Sequence, residues 1–358
     1  MRPVIHAVQC TSCATLAFLF ASGCSHVPAS TDHTEEPAVG PPSAVVSLLE
    51  DTDTPLDIHL LREHSNGTLL IVESRQAVFW QLDASGERPP RRWVKVGSGQ
   101  VPIVSFAVAG DRVAAVLADG EAIILRHSTG TIETRIPGGG IARRPLAVEA
   151  IRNSIYVLSE VVESDTMTGD RITSLQIDRI DGDALVPLWR RDKHRLSELA
   201  TRTTAWNSLS TDGEQLLLAT SAPATIEVVP ITSRDSGSMA LDGVPQRPLT
   251  DADAKTQRKA LNSLPEPYRS QVRPLEQYPP LMKFWPVPGG HAVVATSADN
   301  AFALDLYCNG RFLATRLTGS HIRNLWQWRT GVAALVASAD DQYRLEFYDA
   351  PALQLRCP

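Results

Sequence analysis

Asp111-Arg112-Val113-Ala114-Ala115-Val116-Leu117-Ala118 is a continuous apolar run of strand length, closed by a small residue. The same theme stands at Gly67 to Ser74 (GTLLIVES), Asn153 to Ser159 (NSIYVLS), Glu214 to Ser221 (EQLLLATS), Gly290 to Ser297 (GHAVVATS) and Gly331 to Ser338 (GVAALVAS). An unbroken apolar run of this length suits a strand buried on both faces. After several of them comes an alternating run: Ala77 to Asp83, Ala122 to His127 and Tyr343 to Asp349. Turn residues follow at Ala84-Ser85-Gly86, Ser128-Thr129-Gly130 and Asn309-Gly310. A further run, such as Thr131 to Ile136 or Arg311 to Leu317, completes a four-stranded antiparallel unit.

The repeated runs start near residues 68, 112, 154, 215, 291 and 332, so successive gaps are about 44, 42, 61, 76 and 41. A four-stranded unit of about 40–45 residues is the period of a propeller blade. The fold expected is all-β: a six-bladed β-propeller of four-stranded antiparallel blades over residues 44–358, with a short helical, Pro-rich insertion. A β-sandwich or two smaller β domains is the alternative, and the even spacing favours the ring. The long gaps place insertions at about 187–206 and 234–283. Two segments compete to complete the last blade: Ala44 to Leu49, and Leu353 to Cys357.

Apolar residues make up 43% and charged residues 21% of the 358, which excludes wholesale disorder. The net charge of −6 supplies no basic field, so no nucleic-acid partner is expected. The amino terminus carries Arg2 and an apolar run from Ala14 to Ala21, far short of the ~20 residues of a membrane span. It ends in Ala21-Ser22-Gly23-Cys24. Small residues before a cysteine resemble the bacterial lipobox, although Ala21 stands where Leu is usual. That resemblance implies a signal peptide over 1–23 and an acylated Cys24, with palmitate among its chains. The protein would then meet the membrane through its N-terminal lipid. Ser25 after the cysteine implies the outer membrane, facing the periplasm. An ordinary secretory signal with a chance cysteine is the alternative. Residues 24–43 read as a polar tether.

Export bears on the cysteines. Cys10 and Cys13 fall in the signal segment, leaving Cys308 and Cys357 in an oxidising compartment where they can pair. The strand register argues against it. Cys308 closes the third strand of blade five. Cys357, read as the end of a fourth strand in blade six, falls on the opposite rim, and a disulfide needs Cα atoms within about 7 Å. Whether they pair stays open.

Leu209-Ser210-Thr211-Asp212-Gly213-Glu214-Gln215-Leu216 resembles the S-x-D-G-x-x-L element of TolB-like and NHL-like six-bladed propellers. There the Asp-Gly turn joins the first two strands of a blade. The segment Leu264-Pro265-Glu266-Pro267-Tyr268 through Tyr278-Pro279-Pro280-Leu281 is similar to a Pro-rich excursion between blades in bacterial propellers. The resemblance spans about residues 56–357 and implies fold rather than function.

Candidate sites are few. The first insertion carries Arg190, Arg191, Lys193 and Arg195, a patch for anionic lipid, phosphate or an acidic protein, or else a solvated loop. The second opens with Thr250 or Asp251 as helix cap, followed by Tyr268, Tyr278 and Trp285. These aromatics dock a partner or pack on their own blade. Trp326 and Trp328 share one strand face, as core filler or as a ligand platform. No HExxH, GxSxG or P-loop is present. Six-bladed lactonases set acids and amides around a channel metal. Glu73, Asn153, Asn207 and Asp299 are residue types that could do so, with Ca²⁺ or another divalent metal, but their spacing does not reproduce the lactonase motifs. The expectation is a non-enzymatic envelope scaffold without a cofactor, binding a protein or glycan. A metal-dependent hydrolase or lactonase is the alternative.

Overall fold

The structure is a computed structural model, and it describes residues 40–48, 58–64, 67–73, 77–83, 85, 90–96, 101–138, 142–164, 171–191, 194–195, 207–221, 223–231, 237–263, 276–297, 301–337 and 343–358. The lipobox at Cys24, together with Lys193, Tyr268 and Asp299, lies outside the described residues.

Six antiparallel sheets account for all the strands. After β1 (Ala44–Ser47), blade 1 holds β2 (Ile58–Glu63), β3 (Thr68–Glu73), β4 (Val78–Asp83) and β5 (Arg91–Lys95). Blade 2 holds β6 (Ile103–Ala109), β7 (Arg112–Leu117), β8 (Ala122–Arg126) and β9 (Ile132–Ile136). Blade 3 holds β10 (Arg143–Ile151), β11 (Ser154–Ser164), β12 (Arg171–Asp181) and β13 (Ala184–Arg190), with a two-residue β14 (His194–Arg195) paired to β12. Blade 4 holds β15 (Asn207–Thr211), β16 (Leu216–Ser221), β17 (Ala224–Val229) and β18 (Ser238–Ala240). Helix α1 (Asp251–Asn262) follows. Blade 5 holds β19 (Lys283–Val287), β20 (Gly290–Thr296), β21 (Phe302–Cys308) and β22 (Arg311–Leu317). Blade 6 holds β23 (Ile322–Trp328), β24 (Gly331–Ala337), β25 (Tyr343–Tyr348) and, from the other end of the chain, β1.

The unbroken apolar runs have a direct cause. Each second strand is sandwiched between two neighbouring blades, so its odd and even residues fill different cores. In β16, Leu216 and Leu218 pack toward blade 3, while Leu217 and Ala219 pack toward blade 5. In β24, Ala333 and Leu335 pack toward blade 1, while Val332, Ala334 and Val336 pack toward blade 5. There is one apolar cluster for each of the six blade interfaces, including the one where blade 6 meets blade 1. Trp326 and Trp328 are buried there with Trp80 and Phe347.

The competition to complete blade 6 is decided for the amino-terminal segment. Ala44, Val45, Val46 and Ser47 pair with Phe347, Glu346, Leu345 and Arg344. Residues 353–357 form no strand. The Asp-Gly turn sits between β15 and β16, where Asp212 Oδ1 accepts the Glu214 and Gln215 amides at 2.9 and 2.7 Å and Gly213 takes φ +95°.

The register argument against the disulfide fails: Cys308 and Cys357 are bonded, with Cα atoms 5.6 Å apart. Because β1 supplies the fourth strand of blade 6, the chain after β25 is free to turn at the rim it has reached. β21 and β25 are both third strands, so they end on the same rim. Cys357 comes back to that rim and donates its amide to Pro288 O at 3.1 Å.

The insertion boundaries also move. Residues 184–190 are strand, not insertion, and part of the long third period is spent on the 11-residue strands β11 and β12. The second insertion runs from Leu241 to Met282, between β18 and β19.

Gly331 and Gly290 open the second strands of adjacent blades at equivalent positions. A Cβ on either would come within 2.0 Å of a carbonyl oxygen, that of Tyr348 or Tyr307. Gly331→Ala is expected to cost about 2 kcal/mol or more in urea unfolding, because backbone must move. Gly67→Ala is the control: φ is +81° and its Cβ meets nothing within 4 Å, so only the smaller backbone penalty applies. Equal losses at the two sites would contradict the packing.

Candidate functional site

The first strands β2, β6, β10, β15, β19 and β23 stand innermost and touch their neighbours around the ring. Three of them, from alternate blades, send charged side chains toward the axis. Arg62 of blade 1 donates through Nη2 to Glu149 Oε1 of blade 3. Lys283 of blade 5 donates through Nζ to Asn324 Oδ1 at 2.6 Å and to Leu325 O at 3.3 Å, both in blade 6, and lies 4.9 Å from the centre of the Trp326 ring. Asn324 Nδ2 in turn reaches His59 O in blade 1 at 3.5 Å. Blades 5, 6 and 1 are thereby joined across the innermost strands, and blades 1 and 3 by the ion pair.

Burial pushes the Glu149 carboxyl up, against the pull of Arg62. Burial, and then the Arg62 charge, bring Lys283 down to about 7. In the unfolded chain a lysine titrates near 10.4. Between about pH 7 and that value the unfolded state holds more protons, so this group makes stability rise with pH. Lys283→Met is expected to remove that rise. Measured by thermal unfolding, its advantage over the parent shrinks from pH 7 to pH 9. A constant difference would refute the depressed amine.

Arg190 and Arg191 of the candidate basic patch are internally paired. Arg190 donates to Ser174 Oγ at 2.9 Å and pairs with Glu163 at 2.8 Å. Arg191 pairs with Glu227 at 2.6 Å and donates to Thr220 Oγ1 at 3.1 Å. Arg195 lies in β14, opposite Ile172.

The described aromatic candidates, Tyr278 and Trp285, are buried. Tyr278 is buried and donates to Asp253 Oδ2 at the start of α1. Thr250 is the cap: its Oγ1 accepts the Asp253 amide at 3.2 Å. Trp285 is buried between blades 5 and 6. Arg247 forks onto Asp305 Oδ1 and Oδ2 at 2.7 and 2.9 Å, and Asp305 is fully buried in blade 5. The insertion is therefore part of its own blade interface. Its accessible feature is the outer face of α1, where Lys255, Arg258 and Lys259 are all exposed.

Of the described channel-metal candidates, Asn153 stands apart from Glu73 and Asn207. Glu73 ends a second strand and Asn207 begins a first strand, so both stand at one end of the ring. Asn153 lies in the turn between β10 and β11, at the opposite end. Asn207 Oδ1 accepts from Thr220 at 3.2 Å. Among the described residues no group of three His, Cys, Asp or Glu side chains could hold a metal ion. Composition and spacing did not disclose Arg62, Glu149 and Lys283. The signal was a lone charge inside an apolar inner strand, as in Ala147-Val148-Glu149-Ala150-Ile151.

No family model matches the chain. No curated protein matches it either. Solved structures do. The computationally designed Ika8 protein aligns over 81% of this chain and 83% of its own, at 12% identity and TM-score 0.44. A chain of the Mitotic Checkpoint Complex aligns over 92% and 98%, at 10% identity and TM-score 0.46. No described helix is long and apolar enough to cross a membrane.

Proposed function

We propose that this chain is an exported lipoprotein of the bacterial envelope, a propeller of the TolB-like or NHL-like kind. It is anchored through acylated Cys24 at the outer membrane, facing the periplasm, and acts as a non-enzymatic scaffold for a protein or glycan partner. One observation carries the scaffold reading: the longest connections of the ring all leave it at one end. In each blade the start of the first strand, the turn between second and third strands and the end of the fourth share that end. The 241–282 connection, the residues between β13 and β15, and the elongated β11–β12 hairpin all leave the ring there. Connections this long in a compact fold are uncommon, and are usually functional or else linkers. The Cys308–Cys357 bond supports export, since disulfides persist in oxidising compartments.

Deleting the whole insertion would strip Asp305 of Arg247 and is not a clean test. The triple substitution Lys255→Glu, Arg258→Glu, Lys259→Glu changes only the outer face of α1. Crosslinking from native envelopes is expected to recover a recurrent partner with the parent and to lose it with the triple variant. Equal recovery would remove α1 from the binding surface. Cys24→Ser is expected to abolish palmitate labelling and release the protein from membranes. Retention of both would sink the lipoprotein reading.

A further inference from the structure

The axial cluster holds two cations to one carboxylate. Arg62 has Glu149 as its partner, yet 35% of its side chain stays exposed. Lys283 carries three N–H donors and spends two, on Asn324 Oδ1 and Leu325 O, both on the blade 6 side. The ammonium also lies over the ring of Trp326, which packs beside Leu61 where blade 6 meets blade 1, and Asn324 reaches His59 O on the strand that bears Arg62, so Lys283 is turned toward the blade 1 side of the axis. The Arg62 charge is the second cause, after burial, of the lowered Lys283 basicity. Two partly buried cations from different blades, with donors left over and a single carboxylate that Arg62 already holds, make a site short of counter-charge among the described residues.

We propose that the propeller axis binds one small oxyanion, a carboxylate or a phosphate group, between Arg62 and Lys283. The guanidinium presents a planar fork and the ammonium a point charge, a pairing that suits two oxygens of one anion. Glu149 competes with the ligand for Arg62. It keeps the guanidinium aimed when the site is empty, and it sets how strongly an anion must bind to share it. The partner surface proposed at the built-out end is a separate matter, since neither Arg62 nor Lys283 is on α1.

Calorimetric titration of the purified protein with inorganic phosphate, and separately with acetate, at constant ionic strength, tests this directly. The two charge changes have opposite expected signs. Lys283→Met should weaken the better anion about ten-fold or more, the scale of one charge-assisted hydrogen bond. Glu149→Gln should tighten it, because the competing charge is gone. Dimethyl-labelled Lys283 should show an NMR shift on titration that Arg62→Lys reduces. Tighter binding of phosphate or of acetate identifies the oxyanion class. Absence of binding by both anions, or an affinity unmoved by Lys283→Met, overturns the proposal. So does weaker binding in a folded Glu149→Gln protein. If Glu149→Gln does not fold, Lys283→Met, which keeps the Arg62–Glu149 pair, decides alone.

Discussion

Removing residues 40–48 is expected to abolish the single cooperative unfolding transition of the ring. β1 is the fourth strand of blade 6, and it is paired along its whole length with β25. Val46 and Leu48 are buried in the cluster that joins blade 6 to blade 1. Truncating buried side chains of this kind costs about 2–5 kcal/mol each, and the backbone ladder is lost with them. The sum approaches the ~5–15 kcal/mol that a whole domain has to spare. The exposed edge of β25 would also invite pairing between chains. Chemical denaturation followed by tryptophan fluorescence checks this, because Trp80, Trp326 and Trp328 line that interface. A free peptide of residues 40–48 should restore the transition. An unchanged transition in the truncated chain would mean that blade 6 does not need β1.

Breaking the Cys308–Cys357 bond is the second large effect. The bond links residues 49 apart, and in the chain-entropy account a loop of that size is worth about 4 kcal/mol. It fastens the tail after β25 onto blade 5, so its loss frees the region where Leu353 and Leu355 are buried between blades 5 and 6. Cys308→Ser with Cys357→Ser is expected to lower the melting temperature by several degrees while leaving the β-sheet circular dichroism intact. Reduction of the parent protein should produce the same loss, and the double variant should be insensitive to reductant. A reductant effect on the double variant would show that the loss arises elsewhere.

The disulfide also marks where reading along the chain stops being enough. Cys308 ends a third strand, as the repeat around it implies. The place of Cys357 depends on which end of the chain supplies the last strand, and no residue near it carries that information. Tyr278 and Trp285 carried the same ambiguity. An aromatic in a Pro-rich connection looks alike in sequence whether it faces a partner or its own blade. Asp253, hydrogen-bonded by Tyr278, and the blade 6 core around Trp285 fall in separate parts of the sequence. Arg190 and Arg191 read as a basic run, yet their charges are met by Glu163 and Glu227, 27 and 36 residues away.

By itself the sequence determined the all-β class, the four-stranded repeat, six blades, the capped helix after Thr250 and the Asp-Gly turn of blade 4. These are local properties: strand period, apolar runs and turn chemistry act over a few residues, and repetition makes them unmistakable. Only the tertiary structure decided that β1 closes the ring, that Cys308 meets Cys357, and that Arg62, Glu149 and Lys283 share the axis. Those pairings bring together residues 49 to more than 300 positions apart. What selects them is the closure of the ring, which buries the last apolar face and sets the Arg62–Glu149 pair and the Lys283 ammonium on the innermost strands.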